Sequence, residues 1–168
     1  MNTDWDKYAE RVFLDERLYL ADPAQKERTE KIAERCEGKV LDAGAGDGYI
    51  TNLIKKKGFE VVGLEISDKR IKNAKEKYNL DFVKGDVNNL PFPDNSFDTV
   101  VVSEVLEHTD NIGQGLKEAI RVAKKKVILT LPIGDWEEPS HFFFIDYLYI
   151  PANDKRGMLL IEIKKQNV

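Results

Sequence analysis

The chain has 168 residues, of which 42% are hydrophobic and 33% charged, enough for one domain with a real core. Its net charge of −4 gives no basic footprint for a nucleic-acid binder, and no apolar run reaches membrane-spanning length. The single cysteine, Cys36, rules out an internal disulfide and has no metal-type spacing around it.

Trp5, Tyr8, Ala9 and Val12 recur at helical spacing, with Thr3 able to cap them. Met1 to Asp6 is acidic and carries no apolar signal core, so a cytoplasmic protein is expected. Asp22-Pro23 is a cap followed by a first-turn proline and predicts a helix to about Cys36, closed by Gly38. Residues 1–37 are read as an N-terminal helical lid on a single domain spanning 1–168. Lys39 to Leu41 form a first strand. It runs into Asp42 and then Gly44, Gly46 and Gly48, each two apart. Tyr49 to Lys57 predict a helix ended by Gly58. Phe59 to Glu65 form a strand apolar enough for burial on both faces. Ser67 caps a helix to Tyr78, and Leu80 to Lys84 are a third strand.

Thr99 to Ser103 are the most β-branched run and the fourth strand. Asp110 is positioned to cap a helix from Asn111 to Ala123. Lys126 to Leu131 are the fifth strand, stopped by Pro132. The triplets Lys55-Lys56-Lys57 and Lys124-Lys125-Lys126 each close a helix, where cations complement its dipole. His141 to Ile150, Pro151 to Gly157 and Met158 to Lys164 read as strand, turn and strand, with a helix over Phe143 to Ile150 the alternative.

Alternating strands and helices predict an α/β, Rossmann-like three-layer sandwich, mostly parallel, with an antiparallel C-terminal strand. Such sheets bind ligands beyond the carboxyl ends of their strands, near the switch in strand order. Asp42, Glu65, Asp86 and Ser103-Glu104 all fall at predicted carboxyl ends. A glycine loop between strand and helix offers bare amides to a ligand. A dinucleotide loop usually reads G-x-G-x-x-G, and the third glycine here departs from that spacing. An acid at the strand end would repel a pyrophosphate and suits a ligand with a positive group. The pattern points to a nucleoside bearing an amino acid.

Asp42-Ala-Gly44-Ala-Gly46-Asp-Gly48 resembles the first motif of class I S-adenosylmethionine-dependent methyltransferases, in their small-molecule, methyltransferase type 11-like subgroup. Val61 to Glu65, Phe82 to Val87, and Asn89 to Asp98 running into Val100 to His108 resemble the next three motifs in order. The match covers Val40 to Pro132. The family usually has a further helix between its fifth and sixth strands. Here only Ile133 to Ser140 separate Pro132 from His141, so one sheet face is expected to be uncovered, which points to a homodimer through the C-terminal region.

The resemblance implies S-adenosyl-L-methionine as cofactor and S-adenosyl-L-homocysteine as product. Amides of Gly44, Ala45, Gly46 and Gly48 would meet its carboxylate, and Asp42 its ammonium. Asp42 could instead cap the glycine turn. Glu65 would accept the ribose hydroxyls, Asp86 and the Val87 amide the adenine, and Ile66 and Leu90 could flank the ring, unless both are plain core. Ser103 and Glu104 lie under the sulfonium, with Glu104 offsetting its charge or binding substrate. His108 is the candidate general base, because imidazole titrates near neutral pH. Tyr8 and His141 are substrate-side candidates, with simple helix packing the alternative for Tyr8. The expected acceptor is a small molecule; charge and size disfavour nucleic acid, and no membrane is involved. A non-catalytic cofactor-binding module working with a partner subunit is the other reading. An NAD oxidoreductase conflicts with the glycine spacing.

Overall fold

The computed structural model describes residues 22–133, 147–151 and 157–164. Helix α1 spans Pro23–Arg35; Asp22 caps it by accepting the Ala24 N–H at 2.9 Å, and proline sits in the first turn. Strand β1 (Val40–Ala43) follows, then α2 (Tyr49–Lys56), β2 (Val61–Glu65) and α3 (Asp68–Tyr78). The Ser67 hydroxyl accepts the Arg70 N–H at 3.2 Å and starts α3 as expected. Strand β3 (Phe82–Lys84), β4 (Phe97–Ser103), a single 3₁₀ turn at Leu106–His108, and α4 (Ile112–Val122) complete the central part. Strands β5 (Ala123–Ile133), β6 (Tyr147–Pro151) and β7 (Gly157–Lys164) close the sheet.

The sheet order is β3-β2-β1-β4-β5-β7-β6. The first five strands are parallel, and β7 runs antiparallel between β5 and β6. β6 is antiparallel to β7 and therefore points the same way as the parallel set, so β7 alone reverses direction. The chain builds outward from β1 to β3 and then returns to lay β4 on the other side of β1. That reversal leaves a crevice between the tips of β1 and β4.

Period-two alternation sorts the strand residues onto two faces. Leu41, Ala43, Val100, Val102, Val127 and Leu129 join Leu106, Ala119 and Val122 in one cluster. Val40, Val101 and Ile128 join Ile32, Ala33, Ile50 and Ile54 in the other. Helix α4 thus covers one face, and α1 and α2 cover the other. Burying each of these branched aliphatic side chains is worth about 1.5–3 kcal/mol.

Three expectations change. Asn111, not Asp110, caps α4: its side chain accepts the Gln114 N–H at 3.0 Å. Pro132 does not stop β5, which pairs with β7 as far as Ile133. β4 has ended its pairing at Thr130, so beyond that point β5 is an edge on one side, where proline is tolerated. The triplet Lys124-Lys125-Lys126 lies within β5 rather than closing α4, which ends at Val122. Helix α1, within the region read as an N-terminal lid, packs in the layer that covers the sheet. The expected helix around Tyr8 and the stretch 134–146, with His141, lie outside the described residues.

Candidate active site

A cleft opens at the carboxyl ends of the parallel strands. Gly44 comes to it from the end of β1; Leu64, Glu65 and Ile66 from β2; Arg70 from α3. Gly85, Asp86 and Val87 follow β3, while Glu104, Val105, His108 and Thr109 follow β4. Five residues singled out from sequence for cofactor binding therefore share one cleft with Gly44 and His108: Glu65, Ile66, Asp86, Val87 and Glu104. Asp42, Ala45, Gly46, Gly48 and Ser103 do not line it.

Gly44 has φ +81°, and a Cβ there would lie 2.3 Å from Val105 Cγ2. Only glycine permits this approach of β1 and β4 tips. The loop amides have partners within the chain. Gly44 and Ala45 both donate to the Leu64 carbonyl, at 2.8 and 2.9 Å, and Gly48 donates to Ala45 at 3.0 Å. Gly46 donates to Glu65 Oε2 at 2.9 Å. Glu65 Oε1 accepts the N–H groups of Ile66 and Ser67, each at 3.0 Å. A carboxylate offers about four lone-pair sites, so capacity for a further donor remains.

Asp42 is 2% exposed and does not line the cleft. Its Oδ2 accepts the Thr51 hydroxyl at 2.6 Å. Thr51 lies in the first turn of α2, whose N-cap, Gly48, has no side chain to offer. Asp42 thus caps α2 from the neighbouring strand, which extends the turn-capping alternative to the helix behind the loop. Burial pushes its carboxyl up to about 6, against the Thr51 hydrogen bonds.

Asp86 is exposed; its Oδ1 accepts the Asn88 N–H at 2.8 Å, and Val87 beside it is buried. Leu90 packs in the core, away from the cleft, whereas Ile66 lines it. Ser103 Oγ lies 2.9 Å from Thr130 Oγ1. Glu104 has φ +56°, the left-handed region uncommon for a residue with a side chain. Thr130 donates to its Oε1 at 3.3 Å, and Arg28 Nη1 lies 3.4 Å from its Oε2. Burial raises the Glu104 carboxyl, with the Arg28 guanidinium opposing. Burial also raises Glu107. His108 is exposed in the 3₁₀ turn at the cleft's margin.

The sequence reading missed Arg28, Arg70, Val105 and Thr109. For Arg28 a signal existed: it shares the inward stripe of α1 with Thr29, Ile32 and Ala33, a charge where apolar residues belong. Among the described residues, no three His, Cys, Asp or Glu side chains gather as a metal site, and no helix is long and apolar enough to cross a membrane.

The model of the methyltransferase domain family matches residues 41–131, more than half the chain. The chain belongs to the class I S-adenosylmethionine-dependent methyltransferases. The chain is 35% identical over 136 residues to the demethylmenaquinone methyltransferase of Thermotoga maritima, covering 76% of the chain and 59% of that protein. It is 35% identical over 97 residues to a Mycolicibacterium smegmatis protein named "Probable S-adenosylmethionine-dependent methyltransferase", covering 56% of the chain and 38% of that protein. A solved Thermotoga maritima structure, described as a "SAM-dependent methyltransferase, possible histamine N-methyltransferase", superposes with a TM-score of 0.62 at 24% identity, covering 76% and 59% of the two chains. The chain thus spans about half the length of the curated relatives it matches. The cleft's lining fits the family's cofactor: it includes the acids Glu65, Asp86 and Glu104, and Gly44 puts no side chain in a ligand's way.

Proposed function

We propose that this domain transfers a methyl group from S-adenosylmethionine to a small-molecule acceptor. The observation that carries the reading is the meeting of Gly44, Glu65, Asp86, Val87, Glu104 and His108 around one cleft at the switch in strand order. The bound cofactor supplies a methyl group already attached to a good leaving group, the sulfonium sulfur. Glu65, with one acceptor site left beside its three amides, accepts a single ribose hydroxyl, Asp86 accepts from the adenine amino group, and Val87 presents its amide to the ring. Ile66 packs against the base. Glu104 offsets the sulfonium charge. His108, on the cleft margin, takes the acceptor's proton where that group carries one. The chain's remaining task is to hold the acceptor in line with the C–S bond.

Support for a small acceptor comes from the net charge of −4 and from relatives named for a quinone and an amine. Calorimetry with S-adenosylhomocysteine tests the site, with NAD as the control ligand. Turnover with a methyl-labelled donor against fractionated metabolites then tests catalysis. Binding of NAD in place of S-adenosylhomocysteine would defeat the proposal. Binding without transfer to any fraction would favour a non-catalytic module.

A further inference from the structure

We infer that Arg28 is a positioning residue of this site, holding the Glu104 carboxylate at the end of the cleft read as facing the sulfonium. The inference rests on the functional reading above and adds to it a residue from outside the four motifs.

Arg28 is 2% exposed, although arginine is almost never fully buried unless paired. It projects from α1, the helix that packs against the sheet face opposite α4. Its Nη1 stands 3.4 Å from Glu104 Oε2. The other carboxylate oxygen accepts from the Thr130 hydroxyl, and the Glu104 N–H donates to the Thr130 carbonyl at 3.2 Å. Glu104 is therefore gripped from α1 and β5 at once, while its own backbone sits in the left-handed region. An unusual backbone held by several partners at a cleft wall marks a side chain whose direction matters.

Among the described residues, the charged and titratable groups acting on Glu104 are Arg28 from α1 and Glu107 and His108 from the 3₁₀ turn. Burial and Glu107 both favour the neutral carboxyl; Arg28 and His108 oppose them. Arg28 is the stronger of the two opposing charges. Without it, Glu104 takes up a proton at a higher pH, and a neutral carboxyl no longer favours a neighbouring cation.

S-adenosylmethionine and S-adenosylhomocysteine differ in this respect. The first carries a sulfonium and the second a neutral thioether, while ammonium, carboxylate, ribose and adenine are common to both and cancel in a ratio. The experiment is calorimetry of both ligands on the full 168-residue chain, from about pH 6 to pH 9, for wild type, Arg28→Gln, Arg28→Lys and Glu104→Gln. The affinity ratio of S-adenosylmethionine to S-adenosylhomocysteine in Arg28→Gln is expected to fall about fivefold or more toward the acid end relative to wild type. Arg28→Lys restores the wild-type profile, and Glu104→Gln gives a low ratio independent of Arg28. His108 is common to all four proteins, so the comparison removes its contribution.

If Arg28 only braces the fold, both affinities drop together and the ratio keeps its wild-type profile; that result overturns the inference. Should Arg28→Gln fail to fold, Glu104→Gln decides: an unchanged ratio there overturns it as well. A wild type that binds neither ligand defeats the reading of the cleft itself, and this inference with it.

Discussion

Gly46 donates its main-chain N–H to Glu65 Oε2 at 2.9 Å, tying the glycine loop to the acid that ends β2. The same carboxylate holds the first two amides after β2. Glu65→Ala should therefore do two things. It leaves three amides without their acceptor and lowers stability by about 1–3 kcal/mol. It also weakens S-adenosylhomocysteine binding beyond what that loss of stability explains. Urea unfolding and calorimetry on the same preparation separate the two effects. A variant with normal affinity would remove Glu65 from the ligand site.

Gly44→Ala drives a methyl group into Val105 at a backbone angle that side chains avoid. Overpacking of this kind costs about 1–3 kcal/mol. Since Val105 also lines the cleft, S-adenosylhomocysteine affinity should fall at least about tenfold, near 1.4 kcal/mol. A crystal structure of the variant would reveal a displaced Val105 side chain.

Asp42 gives the fold a defined pH dependence. Its carboxyl titrates near 6 when folded, against an ordinary value of 3.8. Above about pH 6 the group is charged in both states, and the folded protein bears the whole cost of burying that charge. As the pH falls from 6 toward 4, the folded state binds a proton that the unfolded chain still lacks, so this group's contribution to stability rises. The swing is on the order of 3 kcal/mol. Asp42→Asn should flatten that part of the curve in a pH series of urea melts. Glu104 and Glu107 are raised too and leave a residual slope of the same sign.

Arg121 ties the segment after Asp86 to helix α4. Its guanidinium donates to the Leu90 and Phe92 carbonyls at 3.0 and 2.8 Å, while gripping Glu118. Glu118 in turn accepts the Leu90 N–H at 2.9 Å. Arg121→Met should cost about 1–3 kcal/mol in a denaturant titration. Amide exchange should rise at 88–95 and remain unchanged in β1.

His108→Ala should lower methyl transfer by about 10²-fold or more while leaving S-adenosylhomocysteine affinity near wild type. The margin position and exposure of the imidazole suit contact with an acceptor rather than with the cofactor. Equal turnover by wild type and variant would exclude proton transfer by this side chain.

Local chemistry in the chain announced much of this molecule. Asp22-Pro23 and Ser67 start their helices where capping rules place them. The β-branched run at Thr99–Ser103 lies in a central strand. Where two adjacent residues could cap one helix, Asp110 and Asn111, sequence had no means to choose, because the choice depends on which backbone precedes the turn. The partners of the site acids were hidden for a different reason. Asp42 finds Thr51 across a loop, and Glu104 finds Arg28 from a helix 76 positions earlier. Such pairs exist only after the sheet has assembled. Four motifs in order revealed where the cleft is; they could not reveal that several of its acids are already held by the chain's own groups.

The return of the chain from β3 to β4 divides the cleft at the exposed turn Asp94-Asn95. Everything that lines it before this turn, from Gly44 to Val87, belongs to one stretch, and everything after, from Glu104 to Thr109, to another. A backbone nick there would yield two fragments, each with an incomplete wall. Their reassembly would depend on the molecule lodged between them, which would turn the halves into a two-piece reporter for whatever this cleft holds.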